Sequence, residues 1–140
     1  MAANRRSAEP IIGPQTPVTS LMTRAVARIS PDARLREVAQ KLSSVGAGAL
    51  AVGTTSAVVG VVSERDVTRS YGRTDQPDTV KAADIASTEI IWCAPDTTAE
   101  AAARTMCERG VRHLLVGDGE AAGLQGIVSA RDLIDALVSG

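Results

Sequence analysis

The chain has 140 residues, 44% of them hydrophobic, with one Trp, one Tyr and no Phe, so its core must be built from Val, Ile, Leu and Ala. A chain of this length buries about 68% of its unfolded surface and forms one domain or two closely packed halves. The formal net charge of −1 offers no electrostatic footprint for nucleic acid or an anionic membrane. The scarcity of aromatics removes any stacking platform for single-stranded bases.

Residues 1–17 hold Pro10, Pro14, Pro17 and Gly13 and read as a mobile or loosely docked arm. Arg5 and Arg6 lie near the start, but no apolar stretch follows them, so no signal peptide is expected. No apolar run approaches the ~18 residues of a membrane span. A soluble, cytoplasmic protein is therefore expected.

The first unit is expected over residues 18–72. Pro31-Asp32 open a helix with Asp32 as its N-cap. Leu35, Val38, Ala39, Leu42 and Val45 follow at helical spacing, and Gly46 takes the C-terminal position. Ala49–Val52 and Val58–Val62 read as strands, separated by a turn over Gly53–Ala57. A second helix runs from Ser63 to about Tyr71 and stops at Gly72. Residues 73–79 then form a polar linker.

Over residues 80–140 the unit recurs. Sliding by 64 aligns Ser20–Gly53 with Asp84–Gly117 without a gap, and seven of the 34 positions are identical, including Pro31/Pro95, Asp32/Asp96, Gly46/Gly110 and Gly53/Gly117. A two-residue insertion in the Asp118-Gly119 turn shifts the offset to 66 for the last segment. Thr97 and Glu100 read as a capping box ahead of an apolar face of Ala99, Ala102, Ala103 and Met106. Each unit thus reads strand, helix, strand, strand, helix.

The stretch repeated most closely is Gly60-Val61-Val62-Ser63-Glu64-Arg65-Asp66, whose second copy is Gly126-Ile127-Val128-Ser129-Ala130-Arg131-Asp132. Each is a β-branched strand running into a helix. Ser and Asp three residues apart can cap that helix, yet capping favours Glu or Gln at the acid position and does not require Arg65 or Arg131. A helix start beyond a strand is also an anion site, with free amides and a favourable dipole. There a Ser hydroxyl and an Arg suit phosphate, and a carboxylate suits paired ribose hydroxyls.

Other chemistry is not expected. Gly46-Ala47-Gly48-Ala49-Leu50-Ala51 has the spacing of a dinucleotide fingerprint but lies between a helix and a strand, the wrong order. Cys93 and Cys107 form no CxxC pair, and a single His cannot complete an ordinary zinc site. Both cysteines are expected to be small buried hydrophobes. No nucleophile elbow or Walker loop appears, so neither catalysis nor a metal site is expected. On an alternating strand over Val111–Val116, Arg112 and His113 point to opposite faces. Arg112 is the candidate phosphate partner and His113 a partly buried, hydrogen-bonded side chain.

These features resemble the cystathionine-β-synthase (CBS) domain pair, or Bateman module. The resemblance covers about residues 18–138. It rests on the tandem unit and on the G-h-h-[ST]-x-x-D signature at Gly60–Asp66 and Gly126–Asp132. Leu21-Met22-Thr23 and, more weakly, Ile85-Ala86-Ser87 look like the family's leading stretch. The family's usual Pro before the last strand Val is Ala51 in one unit and Leu115 in the other. Membership implies an α/β, pseudo-twofold pair of units with two clefts that commonly bind AMP, ADP, ATP or S-adenosylmethionine, and a regulatory rather than enzymatic role with output to a protein partner. By position, one cleft would combine Ser30 and Pro31 with Arg112, His113, Ser129, Arg131 and Asp132. The other would combine Ala94 and Pro95 with Ser63, Arg65 and Asp66, facing Gly48 and Ala49. The Asp132 cleft, with Ser30 and Arg112, would be the tighter. A homodimer is expected from the Ala-rich helix face and the family's habit of pairing modules; a dimerisation or protein-interaction module with empty clefts is the alternative.

Overall fold

The computed structural model describes residues 12–24 and 26–139; most of the arm expected over residues 1–17 lies outside them. The elements in chain order are β1 (Thr23–Arg24), β2 (Arg28–Ile29), α1 (Leu35–Val45), β3 (Ala49–Gly53), β4 (Val58–Ser63), α2 (Glu64–Tyr71), α3 (Ala82–Ile85), β5 (Trp92–Cys93), α4 (Ala99–Arg109), β6 (His113–Val116), β7 (Gly126–Ser129) and α5 (Ala130–Val138). The expected unit is present twice, as β2-α1-β3-β4-α2 and β5-α4-β6-β7-α5. Both signature stretches are strands that pass directly into helices.

In each unit a parallel pair joins an antiparallel one: β2 with β3 and β3 with β4, then β5 with β6 and β6 with β7. The segment leading into each unit crosses to the other. β1 pairs with β7, Thr23 opposite Ile127. Ser87, which is Thr23 shifted by 64, bridges Val61 on β4. The exchange extends to the helix starts. The Val18 amide donates to the Thr97 carbonyl and the Ala99 amide to that of Thr16, both at 2.8 Å. Shifted by 64, the same two bonds join Ala82 to Ala33 at 2.8 Å and Leu35 to Val80 at 2.9 Å.

Two signature glycines are explained by this crossing. A Cβ on Gly126 would stand 2.8 Å from the Thr23 carbonyl oxygen and 2.5 Å from Met22 Sδ. One on Gly60 would stand 2.9 Å from the Ser87 carbonyl oxygen. The crossing backbone fits only where no side chain intervenes.

Alternation along the strands divides the core into three. Leu114, Val116 and Val128 face α4 and α5, packing with Val18, Met22, Ala102, Met106 and Leu133. Leu50, Val52 and Val62 face α1 and α2, packing with Leu35, Val38, Leu42 and Val67. Residues on the opposite strand faces, Val61, Leu115 and Ile127, meet in a third cluster that joins the halves. Leu115, one of the two replacements of the family's Pro, is only 1% exposed at this seam.

Three local expectations are corrected. Asp32 does not cap α1. The helix starts later, after Arg34, because Arg34 bridges Lys81 in extended conformation and its amide donates to Glu37 Oε1 at 3.1 Å. In the second unit Thr98, not Thr97, is the cap, with its Oγ1 accepting from the Ala101 amide at 3.1 Å. The Thr97 amide is instead turned back to the Ala94 carbonyl. Finally, Cys107 is exposed on α4 and Cys93 only partly buried, so the cysteines are not a buried pair. Gly46 and Gly110 do end α1 and α4 in the left-handed region, with φ of 64° and 67°.

Candidate functional site

The two strand-to-helix corners carry complete capping boxes. Ser63 Oγ accepts from the Asp66 amide at 3.2 Å, and the Ser63 amide donates to Asp66 Oδ2 at 2.9 Å. The copy has Ser129 Oγ accepting from the Asp132 amide at 3.1 Å, and the Ser129 amide donating to Asp132 Oδ2 at 2.8 Å. Capping therefore engages Oδ2 of each acid; among the described residues Oδ1 of neither makes a hydrogen bond. Asp at this position serves the backbone with one oxygen while the carboxylate reaches the wall of a cleft.

Two clefts flank the seam between the units. The larger, about 470 Å³, is walled by Ser129, Arg131 and Asp132, by Thr23 and Arg24 of β1, and by Gly46, Ala47, Gly48 and Ala49. Glu64, His113 and apolar residues that include Val26 and Ile127 also line it. The smaller, about 250 Å³, is walled by Ser63, Arg65, Asp66 and Arg69, by Ser87 and Glu89, and by Gly110, Val111, Arg112 and His113. The repeat offsets relate the clefts: Ser129 to Ser63, Asp132 to Asp66, Thr23 to Ser87, Gly48 to Arg112. Helix starts are tied to these rims by the Glu64 amide to the Gly48 carbonyl and the Ala130 amide to that of Arg112, both 2.9 Å.

This grouping differs from the expected one. Arg112 lines the Asp66 cleft, and Gly48 and Ala49 line the Asp132 cleft, because each strand pair faces the helix start of the opposite unit across the seam. Ser30 borders a separate open hollow with Arg28 and Lys41. Pro31, Ala94 and Pro95 line neither cleft. Ser129, Arg131 and Asp132 are brought together with His113, and Ser63, Arg65 and Asp66 with Arg112 and His113. Arg24, Glu64, Arg69 and Glu89 were not singled out from sequence. Arg69 could have been, since it follows Arg65 by one helical turn.

His113 walls both clefts. It stands opposite Ser129 in the β6–β7 pair. Contrary to expectation, its imidazole makes no hydrogen bond among the described residues. Burial holds its pKa below the ordinary histidine value; Asp66 and Asp132 pull it upward, and Arg112 pushes it down. The clefts differ where Arg112 replaces Gly48: the side chain narrows one, whereas the glycine leaves the other open, with Glu64 Oε1 3.2 Å from where a Gly48 Cβ would be.

CBS domain matches cover residues 18–73 and 82–139. The chain belongs to the CBS domain family. As a tandem CBS pair it is 29% identical to the CBS domain-containing protein YhcV of Bacillus subtilis (strain 168) over 119 residues, 83% of this chain and 81% of that one. The solved structure of a CBS-domain containing protein from Agrobacterium tumefaciens superposes with a TM-score of 0.73 at 25% identity, covering 89% of this chain and 95% of the other. The CBS domain of a bacterial CNNM/CorC family Mg2+ transporter, solved in complex with ATP, shares the fold with a TM-score of 0.70 at 21% identity, covering 90% of this chain and 89% of that one. Among the described residues of the CBS pair no helix is long and apolar enough to cross a membrane.

Proposed function

We propose that this CBS pair is a regulatory module that binds an adenosine-type ligand (AMP, ADP, ATP or S-adenosylmethionine) in its clefts and passes the occupancy to a protein partner without catalysing a reaction. Two units, 18–72 and 80–140, joined by the linker 73–79, supply the clefts. The observation that carries this reading is the Asp132 cleft, where a helix start, Ser129, Arg131 and a carboxylate border about 470 Å³. That volume lies within the range of ~300–1,000 Å³ usual for small-molecule sites, and the Asp66 cleft, at about 250 Å³, lies below it. The ATP complex of the CNNM/CorC CBS domain supports the ligand class.

The Asp132 cleft is therefore the tighter site for a whole nucleotide, now because of its size and not because of Arg112. Asp132 meets the ribose hydroxyls, and Arg24 and Arg131 meet phosphate. Arg65, Arg69 and Arg112 give the Asp66 cleft its own affinity for an anionic group. Calorimetry with ATP, AMP and S-adenosylmethionine tests this. Asp132→Asn, which keeps an acceptor for the cap, should weaken the tighter binding by roughly ten- to a hundredfold. Asp66→Asn should act mainly on a weaker event. No heat with any of the three, or equal binding by both variants, would defeat the reading.

A second reading is favoured by one observation: Ile134, Leu137 and Val138 of α5 are 56%, 37% and 77% exposed. They, and not the Ala-rich face of α4, whose Ala99, Ala102 and Met106 are buried inside the unit, suit a homodimer or an interaction module whose clefts stay empty.

A further inference from the structure

His113 belongs to both clefts at once, and the repeat offers no counterpart, because its equivalent in the first unit is Ala49. The chain has no other histidine. Among the described residues neither ring nitrogen is committed to a protein partner. The ring lies on the seam between two carboxylates, Asp66 at the start of α2 and Asp132 at the start of α5, which both act on it.

We propose that His113 is the residue through which the two clefts communicate: one imidazole walls both, and it takes up one solvent proton when an anionic ligand enters either. This rests on the reading that the clefts bind anionic nucleotides. A neutral imidazole offers one donor and one acceptor, whereas the imidazolium offers two donors. It can then serve an anion in each cleft, one from each nitrogen.

The charged groups around it favour such a response. From α2 come Glu64, Arg65, Asp66 and Arg69, from α5 Arg131 and Asp132, from β1 Arg24, from the segment before β5 Glu89, and beside it Arg112. Burial, and not the count of charges, keeps the ring neutral in the empty clefts: Asp66 and Asp132 already pull its pKa upward against burial and Arg112. An arriving phosphate adds negative charge on the same side and tips the ring to the imidazolium. The first anion bears the cost of protonation and the second finds the imidazolium in place, which is positive coupling. Its size is up to about tenfold in affinity for each pH unit by which the solution lies above the imidazole pKa of the empty protein. Below that pKa the coupling vanishes.

Two measurements test this. Proton NMR of the single imidazole follows its titration without ligand in the parent, Asp66→Asn and Asp132→Asn. Each substitution should lower the pKa; a shift in only one, or in neither, would overturn the shared position. Calorimetry with ATP in buffers of different ionisation enthalpy then counts protons at two pH values, about two units above and about one unit below the imidazole pKa that the NMR titration of the parent gives. The parent should take up close to one proton across both binding events at the higher pH, with the second event strengthened, and little at the lower. His113→Gln should still bind but without proton uptake or coupling. Equal proton uptake by parent and variant, or coupling that ignores pH, would overturn the proposal. If the parent binds no ATP, the nucleotide reading falls, and the NMR titration alone decides whether both clefts act on His113.

Discussion

A half-buried imidazole with no hydrogen-bond partner among the described residues makes folding itself depend on pH. Burial holds the folded-state pKa of His113 below its ordinary value, so as pH falls the unfolded chain takes up the proton first. Stability is therefore complete above about pH 6.5 and is lost as pH drops from there towards the folded value. Thermal unfolding midpoints should decline across that window in the parent. His113→Ala, which installs the residue of the equivalent position 49, should flatten the decline. The cysteines separate in the same way by environment. Burial pushes the Cys93 thiol up in pKa, against a hydrogen bond with Thr97. Cys93→Ala should cost about 1 kcal/mol through lost packing, whereas Cys107→Ala on the exposed face of α4 should stay within about 0.5 kcal/mol. Denaturant midpoints at constant slope would show the difference.

Among the elements, those that end on glycine and those that start on Ser and Asp are set by backbone needs. Gly46 and Gly110 are left-handed, and a Cβ on either would meet nothing within 4 Å. Replacing either by Ala therefore tests conformation alone and should cost about 1 kcal/mol. Gly60 and Gly126 differ, since neither has a positive φ. Their constraint is the backbone of the opposite unit's leading segment. Gly126→Ala should cost about 1–3 kcal/mol by overpacking, because the Thr23 carbonyl has no rotamer to give. It should also disturb the Asp132 cleft, to which Thr23 and Arg24 contribute. Urea unfolding together with ATP calorimetry on this variant would register both effects; an unchanged midpoint would refute the close approach as the reason for the glycine.

For the molecule as a whole, the seam of Val61, Leu115 and Ile127 holds the clefts in shape. Leu115→Ala should cost about 2–5 kcal/mol and weaken binding in both clefts to a similar degree, unlike the Asp variants, each of which should weaken its own cleft most. The exposed side of α5 bears on assembly. A closed twofold dimer is the commonest soluble arrangement, and Ile134, Leu137 and Val138 supply apolar area for it. Light scattering should give twice the 14.4 kDa chain mass. A species of single-chain mass at micromolar protein would refute the dimer.

The repeat, the order of elements in each unit, the strand-to-helix corners and the family are all legible in the chain before it folds. These are local properties: helical and strand periodicities, glycines at helix ends, and Ser and Asp three apart express themselves over a few residues. Ser63, Asp66, Ser129 and Asp132 were legible for that reason. Helix starts were less so, because Arg34 and Thr98 are placed by bridges to Lys81 and Pro17 that lie far away in the chain. How the corners are paired is a property of the folded molecule alone. The crossing of each leading segment to the other unit puts Arg24 beside Asp132, and packing across the seam puts Arg112 beside Asp66 and leaves Gly48 opposite Asp132. Alternation over Val111–Val116 would send Arg112 and His113 to opposite faces, yet Arg112 precedes β6 and both side chains line the Asp66 cleft. Nor could alternation say that the second of them reaches two clefts, since that depends on where another sheet comes to rest.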